Sequence, residues 1–485
     1  MDILNDKQPP GLKVLFLVEM WERFGFYTIQ TLLVLYLVKT LLFSDDAAYG
    51  LFAAFTALTY ASPVLGGFLA DHYFGFRPSI NLGLILFILG YGFLFLFKGA
   101  IPFHFALALI ILGTGCLKGT ISSLLGLLYA PNDIRRNAGF TLFYMGINIG
   151  SFATSILSSL IAAKWGFQYA FLLATVGMIA GYLIFWKGSA YLEGKGELTS
   201  WNQAFFAKHK VLLLGCCLLI AAFLSFFLRF YDQIADVVLV LLIVFIALLV
   251  WRSVKLGKIE QHKIMVLGSL LLFSAFFWAL YFQSYLSVTL FIDRAVNRNV
   301  FGVTIPTAMF QGLLPAYIIL FSPLVAQLWI KLEKKKSNPS GPLKFALGIL
   351  LIGCAFLTLA LAARLSGPFE PISAGWLILT FFLQTMGELM LSPTGLAMVT
   401  KLAPANWMSM MMGLWFMSLA AGNALAGKLA DFTDLPAILP AHFPITQFYG
   451  HTFFKLGCTS VAIAILLVLC IPLFNKLIPN SEVLS

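Results

Sequence analysis

Apolar residues recur along the chain in runs close to the ~20 residues that a helix needs to cross a bilayer. Leu82 to Phe97, Val211 to Phe227 and Val237 to Trp251 are the clearest, and short polar stretches separate the runs. Their lengths predict six helices over about 13–41, 46–72, 77–98, 103–129, 137–163 and 167–187. A second six falls near 263–292, 304–332, 343–365, 374–402, 408–431 and 450–477. Between the sixes, 211–228 and 232–251 form an inserted hydrophobic hairpin. The pattern predicts an all-α polytopic membrane protein of 14 transmembrane helices. An N-terminal six-helix bundle is expected over 1–190, a linker carrying the two-helix hairpin over 191–261, and a C-terminal six-helix bundle over 262–485.

Composition agrees with a lipid surrounding. The chain is 60% hydrophobic and 11% charged, with a mean hydropathy of +0.94, where a soluble domain carries roughly 25% charged residues. Its first apolar stretch holds Glu19, Glu22 and Arg23, so it is not the h-region of a cleavable signal peptide, and the N-terminus is expected to be retained. Six cysteines sit inside apolar stretches without metal-type spacing, which predicts neither disulfides nor a zinc site. The six histidines fall in loops or at helix ends, so no metal and no other cofactor is expected.

The net charge of +11 does not form the continuous basic stripe that nucleic acid requires. Of the 31 Lys and Arg residues, 20 lie on the N-terminal side of the predicted crossings, 9 on the other, and 2, Arg23 and Lys118, inside. The positive-inside rule then places both termini in the cytoplasm.

Charges at membrane depth are the candidate chemistry. Glu19, Glu22 and Arg23 are spaced i, i+3, i+4 and share one face of the first helix. An ionised group at the bilayer centre costs about 2.5–3.5 kcal/mol even on the permissive insertion scale, so that face must line a cavity and find partners. A buried Glu22–Arg23 pair that fixes packing is the bland alternative. Lys118 and Glu388 each stand alone on a helix in opposite halves, where a functional role is the default expectation. Gly113 to Thr120 superficially follows a phosphate loop, but Lys precedes Gly inside a transmembrane helix, which excludes that reading. The chain shows no nucleophile with a neighbouring base, so an enzyme is not expected.

Particular motifs then carry a resemblance. Gly67-Phe-Leu-Ala-Asp71, followed by Gly75 and Arg77, resembles the major facilitator signature between the second and third helices, while Glu19-Met-Trp-Glu22-Arg23-Phe24-Gly-Phe-Tyr27 and Leu32-Leu-Val-Leu-Tyr36-Leu lie on the first helix. Phe143-Tyr-Met-Gly-Ile-Asn148-Ile-Gly150, Phe277-Trp278-Ala through Gln283, and Gly387-Glu388 with Ser392-Pro393-Thr-Gly395 and Lys401-Leu-Ala-Pro404 complete the set. Together they resemble the proton-dependent oligopeptide transporter family of the major facilitator superfamily. That resemblance implies a major facilitator fold with a substrate site between two bundles near the midplane. It further implies a proton-coupled symporter importing di- and tripeptides, acting as a monomer in a bacterial inner membrane.

The resemblance makes Glu19, Glu22, Arg23 and Lys118 the proton-coupling cluster, and because Glu19 and Glu22 are the acids near Lys118 in the N-terminal half's membrane interior, a salt bridge from Lys118 to one of them is expected at rest. The resemblance also makes Glu388 the partner of the peptide amino group and sets Lys118 near the carboxylate. Asn148 and Tyr27 would touch the peptide backbone, and Gln30, Trp278, Gln283, Ser392 and Trp415 would complete the substrate-binding set. Three features depart from the pattern, the first being Phe26 in place of the first tyrosine of the first-helix pair. Gln30 stands where many members have arginine, and Tyr281 or Phe282 where they have an acid. The joint loss resembles the dipeptide and tripeptide permease branch of enteric bacteria and leaves no orphan charge. The alternative is a major facilitator transporter of nitrate, a drug or another organic ion, since fold alone does not settle substrate.

Overall fold

The computed structural model describes residues 7–130, 133, 135–197, 200–404, 407–435 and 443–478. The side chains of 200–211 and of Ser409 lie outside the description, as do His442 and the His209 side chain. The chain folds as two compact units, one of residues 1–36 and 58–230, the other of 37–57 and 231–485. This division differs from the expected segments 1–190, 191–261 and 262–485. The expected hairpin is shared between the units, and a short early segment joins the later one.

The first unit is built on α1 (Pro10–Lys39), α2 (Asp45–Leu69), α3 (Phe76–Leu96), α4 (Ala100–Leu127), α5 (Arg136–Trp165), α6 (Phe167–Lys187) and α7 (Ser200–Phe227), although the unit boundary cuts α1 and α2. At 1.5 Å per residue, the 30 residues of α1 span about 45 Å, enough for the hydrocarbon core and both interfaces. Glycines set the spacing. A Cβ on Gly66 of α2 would meet the Gly115 carbonyl of α4 at 1.9 Å, so those backbones touch only because both residues are bare. Between α5 and α6 the turn is one residue, Gly166, at φ +105° with open space around it. Its requirement is the backbone angle, which side chains oppose.

The second unit contains α8 (Tyr231–Ser253), α9 (Lys258–Tyr281), α10 (Ser287–Ala295), α11 (Leu313–Lys334), α12 (Gly341–Ser366), α13 (Gly375–Leu402), α14 (Met408–Ala430) and α15 (Ile445–Leu477). α12 packs against α13 and α15 through small residues, Gly348 on Gly387 and Gly353 on Ser460. Of the inserted pair, α7 packs on α4, whereas α8 packs on α9 and α14 and ties in through a Lys428–Asp236 ion pair of 2.8 Å. Among the described residues, twelve helices are long and apolar enough to cross a membrane. Charged α1, and α7 with its apolar part Leu212–Phe227, bring the total to the fourteen expected.

The helix expected over 263–292 is not continuous. α9 stops at Tyr281, a 3₁₀ turn covers Phe282–Tyr285, Leu286 adopts φ −108° and ψ −106°, and α10 resumes at Ser287. Side chains satisfy the backbone groups that the break frees. The Ser284 carbonyl accepts from Thr289 Oγ1 (2.7 Å) and Gln311 Nε2 (3.1 Å), and the Tyr281 carbonyl from Ser284 Oγ (2.7 Å) and Gln384 Nε2 (3.0 Å). Two-residue strands, also unexpected, occupy the loops. β1 (Val296–Asn297) pairs in parallel with β4 (Ile372–Ser373), and β2 (Asn299–Val300) pairs antiparallel with β3 (Val303–Thr304).

Candidate functional site

In the first unit the charged face of α1 is buried. Glu22 is 0% exposed, Glu19 3% and Arg23 4%. Arg23 serves both acids: Nη2 donates to Glu22 Oε1 at 2.7 Å, Nε also donates to Glu22, and Nε lies 3.3 Å from Glu19 Oε1. Glu19 Oε2 has no hydrogen-bond partner. α5 reaches this helix because Gly150 is bare; a Cβ there would lie 2.3 Å from the Met20 carbonyl.

Lys118 arrives from α4 beside the cluster, and its ammonium stands 4.2 Å from the Tyr60 ring centroid and 6.0 Å from that of Phe26. The ion pair expected between Lys118 and a first-helix glutamate is not made. Among the described residues, Lys118 has no carboxylate within 4.0 Å, because Arg23, one or four residues along the same helix, holds both acids. Aromatic faces replace the carboxylate as its neighbours. Asn148 Nδ2 donates to the Tyr144 carbonyl (3.1 Å), Tyr27 packs edge-on against Phe26, and Gln30 is buried with Oε1 unpartnered.

One buried group in this unit escaped the sequence reasoning. Thr28 Oγ1 lies 2.6 Å from Thr154 Oγ1 and 2.8 Å from Ser158 Oγ, and Thr154 donates to the Phe24 carbonyl at 2.9 Å. The signal was available as Ser151, Thr154, Ser155, Ser158 and Ser159, one polar stripe at helical spacing along α5. These hydroxyls lock α1 to α5 directly below the charged turn.

In the second unit, Glu388 of α13 faces the Tyr281 side chain of α9, and its Oε2 is buried without a hydrogen-bond partner. Trp278 is buried beside Tyr281, ring centroids 5.2 Å apart, with Nε1 unpartnered. Trp415 of α14 lies over Gly395, where a Cβ would meet its Cη2 at 2.0 Å. Ser392 is half-buried on α13. Gln283 is fully buried and committed: Nε2 donates to the Ala426 carbonyl (2.8 Å) and Oε1 accepts from Ser287 (2.6 Å). Its place as a direct substrate contact gives way to bracing the α9–α10 break.

The second unit also holds ion pairs that sequence reasoning passed over. Lys39 Nζ lies 2.6 Å from Asp293 Oδ1, and Arg294 grips Asp45 with Nη2 donating to Oδ1 at 2.7 Å, while Nη1 reaches the Tyr449 hydroxyl at 3.1 Å. The adjacent Asp293-Arg294 pair on an otherwise apolar helix end was the available signal.

Ionisable side chains seated inside membrane-length helices in both units define a solute transporter of the major facilitator class. The POT family matches residues 79–445. Over 479 residues the chain is 36% identical to dipeptide and tripeptide permease A of Erwinia pyrifoliae, covering 98% of this chain and 96% of that one. Dipeptide and tripeptide permease B of Salmonella typhimurium is 32% identical, covering 98% of each. A solved peptide transporter POT variant in complex with alafosfalin superposes with a TM-score of 0.85 at 32% identity, covering 97% of this chain and 96% of that chain. The chain belongs to the POT family.

Proposed function

We propose that the chain is a proton-coupled symporter that imports di- and tripeptides by alternating access. One observation carries this reading. Among the described residues, Lys118 in the first unit has aromatic rings and no carboxylate within 4.0 Å, and Glu388 in the second has a buried oxygen without a hydrogen-bond partner. A zwitterionic peptide presents the two complementary charges. In this reading Glu388 Oε2 is assigned to the peptide ammonium and Lys118 to its carboxylate, with Tyr27, Gln30 and Asn148 of the first unit and Trp278, Ser392 and Trp415 of the second as further substrate contacts. The peptide names of the relatives support the same cargo.

Coupling follows from the α1 cluster. Two glutamates share one guanidinium, and Glu19 retains an oxygen without a partner, which is where a proton is accepted most readily. Protonation weakens the hold on Arg23 and changes the field at Lys118, so proton and peptide together favour one conformation over the other, the differential interaction that a ligand-driven shift requires. The excess of basic residues on the N-terminal side supports cytoplasmic termini in a bacterial inner membrane. Both halves of the charge pair reside on one chain, which supports a working monomer. The test is uptake of labelled dialanine into proteoliposomes under an inward proton gradient. Accumulation that collapses with a protonophore supports the proposal, and accumulation of nitrate in place of dialanine refutes it.

A further inference from the structure

Away from the charged clusters, the first unit carries a cavity of about 840 Å³ at the start of α1, lined by Gln8, Lys13, Leu142, Met145, Lys187 and Tyr191 among others. Close packing builds it. Gly188, just past α6, admits Val14 where a Cβ would stand 2.6 Å away, and Gly146 of α5 admits Phe16 at 3.0 Å. The first turns of α1 are thereby wedged between α5 and the end of α6, and the groove lies above that wedge. Gln8 is fixed in its wall by the Tyr129 hydroxyl, which donates to Oε1 at 2.8 Å.

The lining is divided chemically. Lys13 and Lys187 are exposed, and no ion pair or hydrogen bond of the described residues includes either. Leu142 and Met145 of α5 are exposed apolar residues beneath them. On α6, Val176, Ile179, Leu183 and Trp186 expose one apolar stripe at helical spacing that leads directly to Lys187. A lipid-facing stripe ending in an aromatic ring and an unpaired lysine marks the interfacial level of a bilayer. A basic pocket between helices at that level matches an anionic headgroup with acyl chains below it.

We propose that this groove binds an anionic phospholipid, the phosphate held by Lys13 and Lys187 and the acyl chains against Leu142, Met145 and the α6 stripe. Its leaflet, the cytoplasmic one, rests on the orientation proposed above; the lipid chemistry does not. The basic excess of the N-terminal side is met at this point by a structured recess rather than by a loop alone.

The test is lipid binding in detergent, which reads neither transport nor orientation. Delipidated wild type is titrated with phosphatidylglycerol or phosphatidylcholine and followed by native mass spectrometry. The same is done for Lys13→Gln/Lys187→Gln and for Lys255→Gln/Lys258→Gln, which removes equal charge elsewhere. Each groove lysine is expected to contribute about fivefold, so the groove variant should bind phosphatidylglycerol roughly 25-fold more weakly while the control stays within about twofold. Should the double variant misfold, each single variant should still show the fivefold loss. Equal binding of the two lipids by wild type, equal losses in groove and control variants, or displacement of phosphatidylglycerol by glycerol phosphate would each overturn the assignment.

Discussion

Replacing Glu388 by Gln isolates the charge at the peptide-amine position while keeping the shape of the side chain. Gln keeps the size of the side chain facing Tyr281, and α9 and α13 stay joined through Gln384, which donates to the Tyr281 carbonyl. What changes is Oε2, buried without a partner and available to the ligand ammonium. Removing one charge of a buried, hydrogen-bonded pair costs about 2–5 kcal/mol. Gln retains a dipole, so the lower part of that range, about 2–3 kcal/mol, is appropriate and corresponds to a roughly 30- to 150-fold weaker affinity. Isothermal titration of the purified protein with dialanine reads this directly, and the melting temperature without ligand should be unchanged. N-acetyl-dialanine, which lacks the ammonium, should bind wild type weakly and lose little further in the variant. If wild type binds free and acetylated peptide equally, Glu388 does not receive the amino group.

Lys118→Ala should abolish accumulation driven by a proton gradient while leaving peptide counterflow measurable in the same liposomes; continued concentration of peptide would refute its coupling role. Gln384→Leu removes one of the two donors to the Tyr281 carbonyl and leaves Ser284 as the other, so the loss of a single hydrogen bond, about 0.5–1.5 kcal/mol, should lower the melting temperature slightly, and an unchanged melting temperature would show that Gln384 does not brace the break. Gly395→Ala places a methyl 2.0 Å from the Trp415 ring; overpacking of about 1–3 kcal/mol should lower the melting temperature, and an unchanged indole fluorescence spectrum would show that Trp415 had not moved. Partial burial, then Asp45 and Asp46, hold the Asp434 carboxyl above its ordinary value of 3.8. The raised folded-state value means that this group favours the fold most at pH below 3.8 and that the advantage is lost as pH rises through the folded value. Asp434→Asn should therefore raise the melting temperature at pH 8, with the difference closing toward pH 4, and a pH-independent difference would refute the argument.

Helix positions were legible because apolar length is a one-dimensional signal, and the α1 charges because i, i+3, i+4 spacing fixes a shared face before any tertiary contact forms. Charge pairing was not. Three ionisable groups on one helix and one on another allow several neutral pairings, and the geometry of α1 gives both acids to Arg23, leaving Lys118 to Tyr60 and Phe26. The interruption after Tyr281 was invisible because Ser284, Ser287 and Gln283 are unremarkable in a helix, and the residues that hold it open, Gln311 and Gln384, lie on other elements. The division of the inserted hairpin was equally hidden. Hydropathy marks α7 and α8 alike, and only packing on α4 as against α9 and α14 separates them.

The broken α9–α10 crossing bears on how chains of this kind can be recombined. Its bend is specified by amides contributed from before α11 and from α13, and by a carbonyl of α14 that takes Gln283. A chimera that imports 258–295 from a relative and keeps the rest would join a bend to foreign braces, or braces to an unbent rod, and strand carbonyls in a dry interior either way. Segment swaps intended to transfer selectivity should therefore move α9 through α14 as one block.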